Sequence, residues 1–164
     1  MTKTKHRLIM TSIASHFWIV AILLSGAAVA HADSSTTEEL VDRIYFSSGS
    51  AALSKDAKPA LAALATLLLK DMTLKAVRIE GHADQRGKDG VNQLLSERRT
   101  RAVQNYLLAQ GVPVTKTMVV SMGARRPLRA GENTVAHSRN RRVDLLLIRN
   151  QDSLTREVST SERP

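Results

Sequence analysis

The sequence predicts an α+β fold: a two-layer β-α-β-α-β-β sandwich in which two main helices pack on one face of a mixed four-stranded sheet. Segments with apolar residues at helical spacing alternate with short strand-like segments. The last strand-like segment, Val143–Ile148, is continuously apolar, which is typical of a strand at the centre of a sheet. Because it comes last and needs neighbours on both sides, we expect an interleaved sheet rather than a plain meander.

The first half of the domain is expected to hold two strands around one helix. Val41–Phe46 combines β-branched and aromatic residues and predicts a strand, and Gly49 marks the turn after it. Ser54 is suited to cap a helix over residues 55–70, and residues 73–81 predict the second strand. Apolar residues that recur with the helical period indicate this helix: Leu61, Leu64, Ala65 and Leu68.

The second half is expected to begin with a long helix. This helix covers residues 89–110, because Gly111 is well placed to end it. Residues 117–122 predict a third strand and residues 123–137 a loop. Residues 143–148 then form the fourth strand.

The composition restricts the classes of function. The chain has 164 residues, which favours one domain with a modest core. It contains no cysteine, which excludes a disulfide framework, a thiolate metal site and a lipid-bearing cysteine. The formal net charge of +9 suits an anionic partner such as nucleic acid, acidic lipid or an anionic wall polymer. The low content of aromatic residues, 3%, argues against base-stacking surfaces.

The first 32 residues have the layout of a secretory signal peptide. Lys3, Lys5 and Arg7 precede an uncharged apolar run at residues 17–30, and Ala30-His31-Ala32 fits the small-x-small cleavage rule. The run is short for a membrane span, which needs about 20 residues. The alternative is an uncleaved inner-membrane anchor, which would make the protein a scaffold or a motor-like subunit.

The expected export of the protein determines where in the cell we expect it and where its mature part begins. An exported, cysteine-free, basic domain argues against nucleic acid as the partner. We expect the protein in the periplasm, associated with peptidoglycan or the outer membrane after the signal peptide is cleaved. The expected parts are a signal peptide at 1–32, a flexible lead-in at 33–40, the domain at 41–149 and a disordered tail at 150–164.

Two charged residues lie where the pattern predicts burial. Asp84 follows the end of the second strand, and Arg99 falls within the apolar stripe of the long helix, on an arc shared with Leu95 and Val103. A buried guanidinium needs an anionic partner or water. One interpretation is an internal Asp84–Arg99 ion pair. The other is a pocket whose carboxylate binds a ligand cation and whose guanidinium binds a ligand carboxylate.

A set of ordered motifs resembles the OmpA-like C-terminal domain family over about residues 41–149. The motif residues lie on the first strand and its turn, around the second strand's end, along the long helix, and before the last strand. They are Ile44-Tyr45-Phe46, Gly49-Ser50, Gly81-His82-Ala83-Asp84, Gly87, Asn92, Leu95-Ser96, Arg99, Val103, Gly123, Pro127 and Asn140-Arg141-Arg142-Val143.

The resemblance implies non-covalent binding of peptidoglycan through the diaminopimelate of its stem peptide, and no cofactor. Asp84 and Arg99 occupy the positions that hold diaminopimelate in the family. The hypothesis of a tethering role adds an envelope membrane protein as a further partner. The remaining positions implied to line the cleft or match the family's motifs are Asn92, Leu95, Phe46 and Arg142.

This chain departs from the family pattern at two positions beside the charged pair. It has Ala83 where threonine is usual and Val91 where tyrosine is usual. Neither change touches Asp84 or Arg99, so we expect weaker binding rather than none.

Other constellations suggest different chemistry. Glu80, His82 and Asp84 alternate along an extended chain and could form a metal site, or His82 and Asp84 could join Ser96 in a wall hydrolase. The simpler interpretation is that His82 is a turn residue bonded to backbone. Arg141 and Arg142 could also pair with Glu80 or Asp144 in the sheet.

Overall fold

The structure is a computed structural model, and it describes residues 36–150, with only the backbone of Asn150. It has four strands, three α-helices and one short 3-10 helix. In chain order they are β1 (Thr36–Tyr45), α1 (Ala57–Lys70), β2 (Leu74–Gly81), α2 (Asp89–Ala109), the 3-10 helix Val114–Lys116, β3 (Thr117–Ser121), α3 (Thr134–Asn140) and β4 (Arg142–Asn150).

The sheet is mixed and interleaved, with the strand order β1-β4-β2-β3. The last strand, β4, lies between β1 and β2 and pairs antiparallel with both. The pairing of β2 with β3 is parallel, since α2 connects them. The predicted α+β fold class and the central position of the final apolar strand are therefore confirmed.

One face of the sheet forms the hydrophobic core with α1 and α2. Alternate residues of β2 and β4 point to this face and are buried, because side chains alternate across a strand. The opposite face carries charged side chains, among them Glu80 and Asp144. The core residues with no more than 1% exposure are Leu61, Leu68, Leu74, Val77, Ile79, Val103, Leu107, Val143, Leu145 and Leu147.

Two predicted boundaries change. Residues 36–40 were expected in the flexible lead-in, but they belong to β1, where backbone pairing with β4 from Thr36 to Leu40 orders them. Within the predicted loop 123–137, residues from Thr134 onward form α3, and the side chain of Asn133 accepts a hydrogen bond from the N–H of Ala136.

Some predictions fall outside the described residues. The signal peptide at 1–32 is one, and most of the expected tail is another, although its first residue, Asn150, ends β4. Within residues 36–150, no helix combines the length and apolar character that crossing a membrane requires.

Candidate functional site

The turn after β1, the loop after β2 and the start of α2 enclose a cavity of about 310 Å³. Arg141, the residue before β4, completes its wall. We call this cavity the arginine pocket. Its lining residues are Ser48, Gly49, Asp84, Arg86, Gly87, Val91, Asn92, Leu95, Arg99 and Arg141.

Two glycines allow the backbone to form this pocket. Gly81 ends β2 directly beneath α2, where a Cβ atom would lie 2.5 Å from the side chain of Thr100 and 2.6 Å from the carbonyl oxygen of Ser96. Gly87 has φ of 90°, a left-handed conformation that returns the chain toward α2. The close approach of α2 to β2 therefore depends on the missing side chain of Gly81.

Arg99 is fully buried, with 0% exposure, and it binds backbone rather than a carboxylate. Its Nε donates to the carbonyl of Ser50 at 2.9 Å, its Nη1 to that of His82 at 2.9 Å, and its Nη2 to that of Ser47 at 3.2 Å. The guanidinium also lies over the ring of Phe46, 5.3 Å from its centroid. Arg99 thus ties the turn after β1 to the end of β2.

Arg99 remains charged although burying a charged guanidinium costs free energy. Burial, with repulsion from Arg141, lowers the pKa of Arg99 to about 10, while attraction to Asp84 acts in the opposite direction. The guanidinium is therefore protonated at neutral pH. An arginine has five N–H donors, and three bind backbone, so two remain for a ligand.

Asp84 is 7% exposed and pairs with two other arginines. Arg86 Nη2 lies 2.8 Å from Asp84 Oδ2, and Arg141 Nη1 lies 3.2 Å from the same oxygen. Burial acts to raise the pKa of Asp84, but hydrogen bonds from Arg86 and Arg141 outweigh it and lower the pKa below its ordinary value. The carboxylate is ionised, and the internal Asp84–Arg99 ion pair considered from sequence does not form.

The arginine pocket has a positive character. Three arginines against one aspartate leave its lining with a formal charge of +2. One polar donor in it is also unused, because Nδ2 of Asn92 is buried without a hydrogen-bond partner among the described residues. Buried donors are normally satisfied, so this amide is available to an acceptor that enters the pocket.

The structure brings four of the six predicted site residues into one cavity: Asp84, Asn92, Leu95 and Arg99. Phe46 packs beneath Arg99 and lines the neighbouring cavity. Arg142 lies elsewhere, because as the first residue of β4 it points to the charged sheet face, where Nε is 3.0 Å from Asp144 Oδ1. Of the sheet pairings considered from sequence, the one between Arg142 and Asp144 forms, whereas Arg141 pairs with Asp84 instead.

Arg86 and Arg141 are pocket residues that the sequence analysis did not assign. Arg86 could have been found, because a basic residue two positions after a carboxylate in a turn is within reach of it. Arg141 could not be separated from its neighbour Arg142, since a shift of one residue at a strand end moves a side chain to the other face.

The residues considered for metal binding or hydrolysis are arranged differently. His82 Nε2 lies 3.4 Å from Glu80 Oε1 and 3.5 Å from Asp144 Oδ2, while Asp84 faces the arginine pocket. No group of three or more potential ligands is arranged for a metal ion within residues 36–150. The hydroxyl of Ser96 is buried and bonded to backbone.

Comparisons with known proteins identify this architecture. A model of the OmpA family matches residues 45–141. A peptidoglycan-associated lipoprotein of Rhizobium meliloti is 33% identical over 123 residues, covering 75% of this chain and 69% of the relative. Its counterpart in Pseudomonas putida is 37% identical over 126 residues, covering 73% and 74%.

Two solved structures share the fold. The peptidoglycan-associated lipoprotein of Burkholderia pseudomallei superposes with a TM-score of 0.63 at 27% identity, covering 65% of this chain and 90% of that one. The C-terminal domain of Helicobacter pylori MotB gives a TM-score of 0.63 at 18% identity, covering 76% and 99%, which is a likeness of fold. With its motif order, sheet topology and matched segment in agreement, the chain belongs to the OmpA family.

Proposed function

We propose that the domain binds peptidoglycan non-covalently, through the diaminopimelate of the stem peptide, and thereby anchors or positions the protein in the bacterial cell envelope. One observation carries this proposal: an ionised carboxylate and a buried guanidinium with two unused N–H groups line the same small cavity. Relatives named for their association with peptidoglycan support it. The function is binding, without a chemical step.

The pocket matches the chemistry of diaminopimelate. In the wall this residue carries a free ammonium and a free carboxylate on one carbon. Asp84 would accept hydrogen bonds from the ammonium, and Arg99 would donate to the carboxylate together with the unused amide of Asn92. Leu95 and Val91 offer apolar contact to the methylene chain.

Arg86 occupies the place that the ligand ammonium would take. Its side chain is 54% exposed, whereas that of Arg141 is 14% exposed, so Arg86 is the partner of Asp84 that can leave. The Arg86 side chain can turn into solvent, where its charge is hydrated, and a ligand ammonium would then take its place at the buried carboxylate. Arg141 would stay and hold the carboxylate in place.

The proposed location is the periplasm, with the protein associated with peptidoglycan or the outer membrane after cleavage of a signal peptide. A membrane protein partner in the envelope belongs to the same proposal. Cleavage after Ala32 would remove Lys3, Lys5 and Arg7 and leave a formal charge of +6, which would favour approach to an anionic wall.

Co-sedimentation with purified sacculi tests the proposal. We expect the wild type to pellet at low and moderate salt, and Asp84→Asn to stay in solution because it loses the charge that pairs with the ammonium. Arg101→Gln is the matched control, since Arg101 pairs with Glu97 on the exposed side of α2. If both variants pellet like the wild type and salt releases all three, binding is general basic attraction and the proposal is wrong.

Competition with small molecules tests the ligand assignment. In the stem tripeptide L-Ala–γ-D-Glu–diaminopimelate, replacing diaminopimelate by lysine removes only the carboxylate beside the distal ammonium, because the α-amine is acylated in both peptides. We therefore expect the diaminopimelate tripeptide to displace the protein from sacculi and the lysine tripeptide at the same concentration to leave it bound. Equal displacement by both would contradict the role proposed for Arg99.

A further inference from the structure

A second cavity of about 510 Å³ lies beside the arginine pocket and shares Arg141 with it. We call it the Tyr45 pocket. The end of β1 forms one wall, and α3 forms the opposite wall. Apart from Arg141, its lining residues are Tyr45, Phe46, Ser47, Val135, Ser138 and Arg139.

Arg141 joins the two cavities through separate atoms of one guanidinium group. Its Nη1 lies 3.2 Å from Asp84 Oδ2 in the arginine pocket, and its Nε donates to the carbonyl of Phe46 at 3.0 Å. Because Arg141 is held from both sides, it forms a fixed wall between the pockets. A ligand that fills the arginine pocket and extends past Arg141 would reach the Tyr45 pocket.

Arg139 supplies a charge in the Tyr45 pocket that is not neutralised. It lies over the ring of Tyr45, 5.5 Å from the centroid, with Nη1 3.4 Å from the Tyr45 hydroxyl. Within the described part of the chain no carboxylate lies within ion-pairing distance of Arg139. The aromatic ring orients the guanidinium and leaves its remaining N–H groups for an anion.

We propose that the Tyr45 pocket binds a second carboxylate of the stem peptide whose diaminopimelate fills the arginine pocket. Arg139 would pair with this carboxylate, and the hydroxyls of Ser47 and Ser138 lie in the same lining. The inference rests on the proposed function, because it needs diaminopimelate to place the peptide. Two neighbours of diaminopimelate carry such a group: the D-glutamate linked through its side chain, with a free α-carboxylate, and the C-terminal D-alanine.

The test compares tetrapeptides that differ only in these carboxylates. Calorimetric titration is done with three peptides. The first is the tetrapeptide L-Ala–γ-D-Glu–diaminopimelate–D-Ala, the second is the same peptide with the α-carboxylate of its glutamate amidated, and the third is the same peptide with its C-terminus amidated. The proteins are the wild type, Arg139→Gln and the control Arg101→Gln. For the wild type we expect one of the amidated peptides to bind about two- to fivefold more weakly, as for a partly exposed charge pair. Which amidation does so identifies the carboxylate.

Arg139→Gln should bind the unmodified peptide about two- to fivefold more weakly than the wild type and should no longer distinguish the amidated form. Arg101→Gln should behave like the wild type. The inference is wrong if neither amidation weakens binding, or if Arg139→Gln still distinguishes the peptides as the wild type does.

Binding of free meso-diaminopimelate distinguishes a failure of this inference from a failure of the proposed function. If wild type and Arg139→Gln bind it equally and Asp84→Asn does not, the arginine pocket acts as proposed, and the tetrapeptide results report on the Tyr45 pocket. If the wild type binds neither diaminopimelate nor the tetrapeptide, the proposed function and the inference fail together.

Discussion

Arg99 has a structural task as well as its proposed part in binding. Its guanidinium bonds three backbone carbonyls from two separate loops: the bond to His82 is buried, and the bonds to Ser47 and Ser50 are partly buried. A hydrogen bond to a charged group contributes about 1.5–3 kcal/mol, and a buried carbonyl left without a donor costs about 1–3 kcal/mol. The residue that faces the ligand therefore also shapes the site.

Arg99→Leu should consequently lower the free energy of unfolding by about 2–5 kcal/mol, since one buried and two partly buried carbonyls lose their charged donor. Urea denaturation of the purified protein measures this, with Arg101→Leu on the exposed side of the same helix as the control. Equal stability of Arg99→Leu and wild type would show that water replaces the guanidinium at these carbonyls. Because an Arg99 variant disturbs both folding and binding, Asp84→Asn is the cleaner test of the ligand.

Asp84 and Arg99 are also the residues for which the sequence was most informative. Each is a charged side chain at a position where the pattern predicts burial, and the structure confirms both burials. Their partners could not be predicted in the same way. The pairing of Asp84 with Arg86 and Arg141 depends on how the loop after β2 packs against the residue before β4. The spacing of apolar residues along the sequence does not predict that packing.

The arginine pocket is built on the contact between α2 and β2. Gly81 makes the contact possible, since a methyl group there would overlap the side chain of Thr100 and the backbone of Ser96. Ser96 holds the neighbouring loop as well, because its hydroxyl accepts a hydrogen bond from the N–H of Gly123 at 3.1 Å. The first turns of α2 are thus fixed in place beside the loop that carries Asp84.

Gly81→Ala should force α2 away from β2, because the predicted overlap is with backbone that cannot rotate aside. We expect a loss of about 1–3 kcal/mol in the free energy of unfolding, as for overpacked core positions. Gly90→Ala is the matched control: Gly90 lies in α2 with open space around its Cβ position, and alanine there should stabilise by about 0.5–1 kcal/mol. Thermal denaturation of both variants gives the comparison, and a stable Gly81→Ala would contradict this account of the packing.

The elements differed in how far they could be predicted. The continuous apolar run of β4 identifies a central strand because both its faces must be covered. The N-terminal part of β1 lacked such a signal, since its side chains from Thr36 to Asp42 are all exposed and its order comes from backbone pairing with β4. α3 has seven residues, too few to show a helical period clearly.

Over the whole molecule, several carboxylates are stabilised in their ionised form by the fold. Burial acts to raise the pKa of Asp144, but hydrogen bonds from His82 and Arg142 outweigh it and lower the pKa. The pKa of Asp84 is lowered by Arg86 and Arg141 against the same effect of burial. That of Asp71 is lowered by hydrogen bonds from Thr73, with Arg149 adding to the effect. Asp84 and Asp144 lie near one end of β2 and Asp71 near the other, so acid acts at both ends of the sheet.

The sign of the resulting pH dependence follows from proton linkage. A carboxylate whose pKa is lower in the folded state binds fewer protons there than in the unfolded chain, so it stabilises the fold at any pH above its unfolded pKa. For these groups the unfolded value is 3.8. Their contribution is present at neutral pH and is lost as the pH falls from about 5 through the folded pKa values.

We therefore expect the free energy of unfolding of the wild type to fall steeply as the pH is lowered below about 4. Asp144→Asn should lower stability at pH 7, because Arg142 loses a buried anionic partner, and should flatten the decline, because one proton-linked group is gone. Urea denaturation at pH 7, 5, 4 and 3 measures both effects, with Asp42→Asn on exposed β1 as the matched control. If the free energy of unfolding of Asp144→Asn falls with pH as steeply as that of the wild type, the acid sensitivity does not come from Asp144. Asp84 in the arginine pocket would then be the next carboxylate to test.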